Sequence, residues 1–374
     1  MRILIIGITE NAFVRGVERY TIELVREMVR ADPSLRITLL CGSWQQYYEQ
    51  LPSPAVDLHR IDGLPNSKVF RHLYIALVVP WLVRNFDLVH YTNTLPILRL
   101  GRVPVVVTIH DIAEYFLPYK YGAMQRWYRK LMALNASWVS NRVVTDSNFS
   151  ARSICSKLGV PVERVVPIYL GVEHILSKEA PDAVAVNCLR PYLLYWGVLE
   201  KGKGVDRLID AFDNLRSSGV DIDLNLVGAK GDAWPFISEA IARDEHIHHL
   251  GYVSDSELIT QIRNAAVIVF PSEYEGFGFP PLEAFVFNSN IVTSNTTSLG
   301  EISREFALQV DPANSVALAE AIAELLAKPR SVALEDKQKI LAAFSWATCA
   351  AATREVYRQA LRLPIPAATY NGPA

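Results

Sequence analysis

The chain has 374 residues, 50% of them hydrophobic and 20% charged, with a formal net charge of −2, which describes a globular protein long enough for two domains. It carries no Lys/Arg-rich run, which argues against nucleic acid as a partner. Its four cysteines (Cys41, Cys155, Cys188, Cys349) are scattered without CxxC or histidine spacing. Neither a metal site nor a disulfide framework is expected, and a reducing, cytoplasmic compartment is.

The opening MRILIIGITEN has one Arg and a very short apolar run. It reads as a first strand, Arg2–Ile6, and not as a secretory leader. A glycine-containing loop (7–16) and a helix (17–29) follow, with Val17, Thr21, Leu24, Val25 and Met28 on one face. That order is Rossmann-like, although G-x-G-x-x-G is absent and no acidic residue suited to a dinucleotide is evident. The longest other apolar run, 75–83, is broken by Pro80 and too short to span a bilayer. Strands are expected at 36–41, 88–91, 104–109 and 142–145, with helices between, an alternation that argues for a parallel sheet. His110 and Asp111 fall just past the strand VPVVVTIH, at its carboxyl end. Ser147 or Asn148 is placed to cap the next helix. After a strand near 165–172, residues 173–191 lack periodicity, contain two prolines and read as an interdomain linker.

A second strand series begins at 192–197, followed by the loop GVLEKGKG (197–204) and strands at 222–228 and 247–253. His246, His248 and His249 invite a metal hypothesis, but alternation sends His248 and His249 to opposite faces of a strand. Asp221 and Asp223 form a D-x-D at a strand's beginning, the edge where ligands do not bind. The β-branched run 266–270 reads as a buried parallel strand. Beyond it comes the most informative stretch, FPSEYEGFGFPPLEAF (270–285). Pro280 and Pro281 open a helix there, where a missing N–H costs nothing. Gly276 and Gly278 let the backbone approach a ligand, and the helix start offers free amides. Glu275 and Glu283 lie at the carboxyl edge of an α/β sheet, where ligands bind, and carboxylates there can accept from the hydroxyls of a ribose or sugar. A strand at 291–294, a helix from Pro329, and a last helix from Phe344-Ser345-Trp346 to about Leu361 complete the series. The tail from Pro364 is expected to lack order.

The text EGFGFPPLEA, with Glu275 and Glu283 seven residues apart, resembles the E-x7-E signature of retaining glycosyltransferases of family 4. The resemblance extends along the chain to about Leu361. It implies the GT-B fold, with two Rossmann-like domains facing each other across a cleft and a C-terminal helix crossing back to the first. Residues 1–175, with 346–374, would form the acceptor domain, and 190–345 the nucleotide-sugar donor domain. Arg15-Gly16-Val17-Glu18-Arg19-Tyr20 resembles the family's G-G-x-x-R-Y loop, with Arg15 in place of the first Gly, so Gly16 would meet the donor diphosphate. TIHDIAEYFLP resembles the HD segment on the acceptor side: His110 would position sugar or acceptor groups without being an obligatory base, and Asp111 could fix the loop or the His tautomer. Lys203 aligns with the Lys of G-x-L-E-P-R-K-N, a diphosphate partner. Val198 and Gly202 stand where arginines occur in relatives, and Lys201 is a partial substitute.

By the same resemblance Tyr252 and Val253 sit where the backbone meets the nucleobase. Glu283 would bind the ribose, and Glu275 with the Gly276, Phe277 and Gly278 backbone would bind the sugar. Charge growing on the leaving diphosphate would be stabilised by Lys203 and helix-start amides, with that phosphate taking the acceptor's proton in a front-face reaction. His110, Glu275 and Lys203 are thus the catalytic candidates. The implied substrates are a GDP- or UDP-hexose and a glycan or lipid-linked saccharide acceptor, without cofactor or metal, leaning to mannosyl- or rhamnosyl-type enzymes of bacterial polysaccharide and lipopolysaccharide synthesis. A lipid-linked acceptor leaves room for peripheral association with the cytoplasmic face of the inner membrane. Other readings of the same residues are a GT-B nucleotide-sugar epimerase, a glycosidase using two carboxylates, and an inactive sugar-binding relative.

Overall fold

The computed structural model describes residues 1–52, 54–63, 65–99, 101–178 and 190–362. It divides into two compact units, Met1–Gly171 with Phe344–Ala374, and Val172–Ala343. Residues 364–374, expected to be unordered, and most of the expected linker lie outside the described residues.

The first unit is built on a parallel sheet of β1 (Arg2–Ile6), β2 (Arg36–Gly42), β3 (Val56–Ile61), β4 (Leu88–Tyr91), β5 (Val105–Thr108), β6 (Arg142–Thr145) and β7 (Val165–Pro167). The order across the described sheet is β3-β2-β1-β4-β5-β6-β7. The central strands are apolar and buried on both faces, as a sheet covered by helices requires. Connecting helices are α1 (Gly16–Ala31), α2 (Lys68–Leu77), α3 (Val79–Leu82), α4 (Ala123–Val139) and α5 (Asn148–Leu158). Ser147 caps α5, its Oγ accepting from the Ser150 amide at 3.1 Å.

The second unit repeats the plan. Its strands are β8 (Tyr192–Trp196), β9 (Asp223–Val227), β10 (Ile247–Gly251), β11 (Val267–Phe270), β12 (Ile291–Ser294) and β13 (Leu308–Val310). All described pairings are parallel, in the order β10-β9-β8-β11-β12-β13. Its helices are α6 (Val205–Ser217), α7 (Trp234–Arg243), α8 (Asp255–Asn264), α9 (Phe279–Phe287), α10 (Thr297–Ile302), α11 (Ser315–Ala327) and α12 (Leu334–Ala342). The last helix, α13 (Trp346–Arg362), returns to the first unit and packs along α1. Arg354 there bridges Asp32 at 2.9 Å, and the Trp346 backbone lies so close to Gly171 that a Cβ at 171 would sit 2.3 Å from its nitrogen.

Two strands, β3 and β13, were not expected. Both are edge strands, and VDLHRI exposes half its side chains, so neither carries the apolar run that marks its neighbours. The expected linker is also not all linker: Glu173–Lys178 forms a 3-10 helix belonging to the second unit. Among the described residues no helix is long and apolar enough to cross a membrane.

Candidate active site

Strand order builds the site in the second unit. β8 and β11 are hydrogen-bonded neighbours although two strands separate them in sequence. The loops that follow them therefore leave the sheet side by side, at the topological switch point where open α/β sheets bind ligands. Lys203 stands in the first loop and Glu275 in the second. Lys203 Nζ donates to both carboxylate oxygens of Glu275, at 2.7 and 2.8 Å. Ser272 Oγ adds a bond to Oε1 at 2.9 Å, and Ser298 Oγ holds the Glu275 carbonyl at 2.9 Å. The two charged side chains keep 30% and 17% exposure, so a ligand can still reach them.

Backbone conformation makes this packing possible. Gly204, which starts α6, has φ +69°, and a Cβ there would lie 2.1 Å from the Pro271 carbonyl oxygen. Gly278, which starts α9, has φ +98°, and its Cβ would lie 2.4 Å from Leu299 Cδ2. Thr297 also has positive φ, at 55°, an uncommon conformation for a β-branched residue. Its hydroxyl accepts from the Glu275 amide at 3.4 Å. Strain of this kind is retained where the surroundings fix a site.

Glu283 projects from the second turn of α9. His174 Nε2 donates to its Oε1 at 3.0 Å, and the His174 ring is buried edge-on against Phe279, with centroids 5.6 Å apart. His174 thus orients Glu283, a role invisible in a stretch that reads as linker. Phe277 is buried against Phe279, and Gly276 is buried beside it. Tyr252 and Val253 lie just beyond β10 rather than within it, and the Tyr252 side chain is 92% exposed. Lys201 is exposed, its amide held by Asp232 Oδ1 at 2.8 Å.

The other acidic and histidine pairs are structural. His246 bonds Asp223 at 2.7 Å, His249 donates to the Gly228 carbonyl at 2.9 Å, and Asp221 pairs with Arg216. No group of three or more His, Cys, Asp or Glu suited to a metal ion occurs among the described residues.

In the first unit His110 leaves the carboxyl end of β5. Its Nε2 donates to the Thr92 carbonyl at 2.9 Å, and its Nδ1 lies 2.7 Å from Asp146 Oδ2. Carbonyl and carboxylate oxygens both accept, so the pair fits an imidazolium against a carboxylate. Burial opposes that charge, but the Asp146 carboxylate and the Thr92 carbonyl outweigh it and hold His110 above its ordinary pKa. Asp146, at the end of β6, was not anticipated as the partner. Asp111 instead accepts from the Ala113 amide at 3.0 Å and so fixes the loop. Tyr20 packs edge-on against His110, with centroids 5.0 Å apart. Gly16 is the exposed first residue of α1, and the Arg15 amide beside it donates to Glu18 at 3.0 Å.

Around His110 opens a cavity of about 420 Å³, with Thr9, Asn93, Asp111 and Tyr128 among the residues of its wall. Beneath it a buried polar chain links the sheet to the returning helix: Tyr20 OH to Thr108 Oγ1 at 2.9 Å, Thr108 to His90 Nε2 at 2.8 Å, and His90 Nδ1 to Tyr357 OH at 2.7 Å. Burial pushes His90 down to about 3, so it is neutral at physiological pH.

Two Rossmann-like units with parallel sheets, each presenting chemistry at its carboxyl edge, define the GT-B class of glycosyltransferase folds. The sucrose-phosphate synthase of Thermosynechococcus elongatus shares this fold, with a TM-score of 0.75 at 19% identity, covering 96% of this chain and 98% of that one. The family model for Glycosyltransferase Family 4 matches residues 14–175, and that for Glycosyl transferases group 1 matches 178–341. The chain belongs to glycosyltransferase family 4. It is 27% identical over 377 residues to O-antigen chain mannosyltransferase B of Escherichia coli, covering 92% of this chain and 96% of that one. It is 31% identical over 383 residues to D-inositol 3-phosphate glycosyltransferase of Arthrobacter sp. strain FB24, covering 92% and 90%.

Proposed function

We propose that this glycosyltransferase moves a hexose, with retention of anomeric configuration, from a nucleoside-diphosphate sugar to a hydroxyl of a glycan or lipid-linked glycan in surface-polysaccharide synthesis. The observation that carries the donor assignment is the Lys203–Glu275 pair at the switch point of the second sheet, with Glu283 held on the helix that follows. In this reading Lys203 neutralises the diphosphate as it gains charge, Glu275 engages the sugar, and Glu283, oriented by His174, takes the ribose. Hydrogen bonds to ionised groups of this kind are the strong ones.

The acceptor belongs to the cavity of the first unit, where His110 positions groups. The geometry supports a positioning role, because both ring nitrogens are already engaged. Similarity to an O-antigen mannosyltransferase favours mannose as the hexose. A peripheral position on the cytoplasmic membrane face is supported by α2 and α3, which expose Val69, Phe70, Leu73, Leu77 and Trp81.

The test is a thermal-shift panel of GDP- and UDP-hexoses. A donor present at a hundred times its Kd adds about 2.7 kcal/mol of stability, and that response should weaken in Lys203→Ala and Glu283→Gln. A panel without any response contradicts the proposal.

A further inference from the structure

One turn of the second unit, between β12 and α10, carries two local costs, and it is the turn that touches Glu275. Among the described residues Thr297 is the only one apart from glycines with a left-handed backbone, at φ +55°. That region is sparsely populated, least of all by β-branched residues. Thr296 precedes it at the start of α10, a position from which a Thr hydroxyl ordinarily accepts from an amide of the first helical turn. Here it caps nothing, and Thr296 Oγ1 is buried without a hydrogen-bond partner among the described residues. Strain beside an unsatisfied hydroxyl is retained only where the surroundings fix both.

The surroundings do fix them. The Asn295 amide donates to the Val310 carbonyl at 2.8 Å, and the Gly300 amide donates to the Thr296 carbonyl at 3.0 Å. Gly300 packs so tightly under the turn that a Cβ there would lie 2.2 Å from the Asn295 carbonyl oxygen. Held this way, the turn sets two consecutive hydroxyls on one residue. Thr297 Oγ1 accepts from the Glu275 amide, and Ser298 Oγ, fully buried, donates to the Glu275 carbonyl. Because a peptide group is planar, these two bonds orient the planes on both sides of the Glu275 Cα. The side chain is held separately. Ser294 Oγ donates to the Ser272 carbonyl at 2.6 Å, and Ser272 Oγ donates to Glu275 Oε1. Lys203 supplies the other two bonds to the carboxylate, the ones that a diphosphate would draw away.

We propose that Thr297 is a positioning residue for Glu275. Its left-handed backbone keeps the Thr297 and Ser298 hydroxyls on the Glu275 main chain, so that the carboxylate stays in place when Lys203 turns to the diphosphate. The inference rests on the assignment of Glu275 to the donor sugar and adds the residue that aims it.

Thr297→Gly removes the hydroxyl and the backbone strain together, so the variant should fold. Thr297→Ser keeps the hydroxyl. Both are compared with wild type as full-length chains by thermal unfolding, by hydrogen exchange read by mass spectrometry over residues 272–278, and by turnover. The substrate is whichever of GDP-mannose, UDP-glucose and UDP-galactose the wild type consumes. Thr297→Gly should melt no lower than wild type. It should nevertheless exchange faster over 272–278 and lose kcat, each on the order of tenfold, as the loss of one hydrogen bond allows. Its donor KM should stay within about twofold, and Thr297→Ser should recover kcat to within about threefold of wild type. A merely structural turn behaves differently: exchange stays at the wild-type rate, or kcat falls only in step with Tm. Either result overturns the inference, and so does a Thr297→Ser variant no better than Thr297→Gly. A wild-type chain that consumes none of the three donors counts against the donor reading, and the exchange and melting comparison then decides the role of Thr297 by itself.

Discussion

Replacing Lys203 by Ala removes two charge-assisted hydrogen bonds from Glu275 and leaves its carboxylate with the Ser272 hydroxyl. The pair is partly exposed, at 30% and 17%. Its contribution to folding therefore falls between that of a surface pair, below about 1 kcal/mol, and the roughly 3–5 kcal/mol lost when a buried pair is broken. We expect about 1–2 kcal/mol of destabilisation and a folded variant. Donor binding should suffer more specifically. A hydrogen bond to a charged group contributes about 1.5–3 kcal/mol. In the free protein, however, Lys203 already satisfies Glu275, and turning towards a diphosphate loosens that pair. The net loss should then lie near the low end, about 1.5–2 kcal/mol, which corresponds to a Kd roughly 10–30 times weaker. Isothermal titration of wild type and Lys203→Ala with the nucleotide sugar identified by the panel measures it, with thermal unfolding as the folding check. A folded variant whose donor Kd stays within about twofold of wild type would refute the reasoning.

Glu283→Gln should mainly raise the donor KM, because a ribose contact is similar in ground and transition states, whereas Glu275→Gln should mainly lower kcat, on the order of a hundredfold; steady-state kinetics with donor varied would show the reverse pattern if the roles are exchanged. His174→Phe should mimic Glu283→Gln in KM while sparing kcat, since His174 donates to Glu283 and orients it; an unchanged KM removes that role. His110 should titrate above its ordinary 6.5 by NMR and return towards or below it in Asp146→Asn; a midpoint insensitive to Asp146 contradicts the ion pair. His90 has a depressed pKa, about 3 when folded against 6.5 ordinarily, so the stability it contributes is full above pH 6.5 and lost as pH falls towards 3. Roughly 3 kcal/mol of it should be gone at pH 4, as read by denaturant titrations, and a pH slope that persists unchanged in His90→Asn would count against this.

Much of the fold is legible because buried parallel strands are continuous apolar runs: LLYW in β8 and VIVF in β11 announce themselves. The edge strand VDLHRI does not, since it needs only one paired side and tolerates exposed Asp and Arg. The site is legible where its residues are close in sequence, as Glu275 and Glu283 are. Partnerships across the sheet are not. Lys203 meets Glu275 only because β8 and β11 are neighbours, an order that no local pattern encodes. Asp146 meets His110 because β5 pairs with β6, while the nearer Asp111, expected to fix either the loop or the ring, fixes the loop. His174 reaches Glu283 from a segment without periodicity, so no periodicity signal could have singled it out.

The central claim is that this chain transfers a hexose with retention, using a donor bound by Lys203, Glu275 and Glu283. Its most direct test is product analysis by NMR after incubation with the nucleotide hexose selected by the panel and a lipid-linked saccharide acceptor. The account predicts a new glycosidic linkage with the donor's anomeric configuration, formed by wild type and reduced on the order of a hundredfold in Glu275→Gln. An inverted linkage, release of an epimerised sugar without transfer, or undiminished transfer by Glu275→Gln would contradict it.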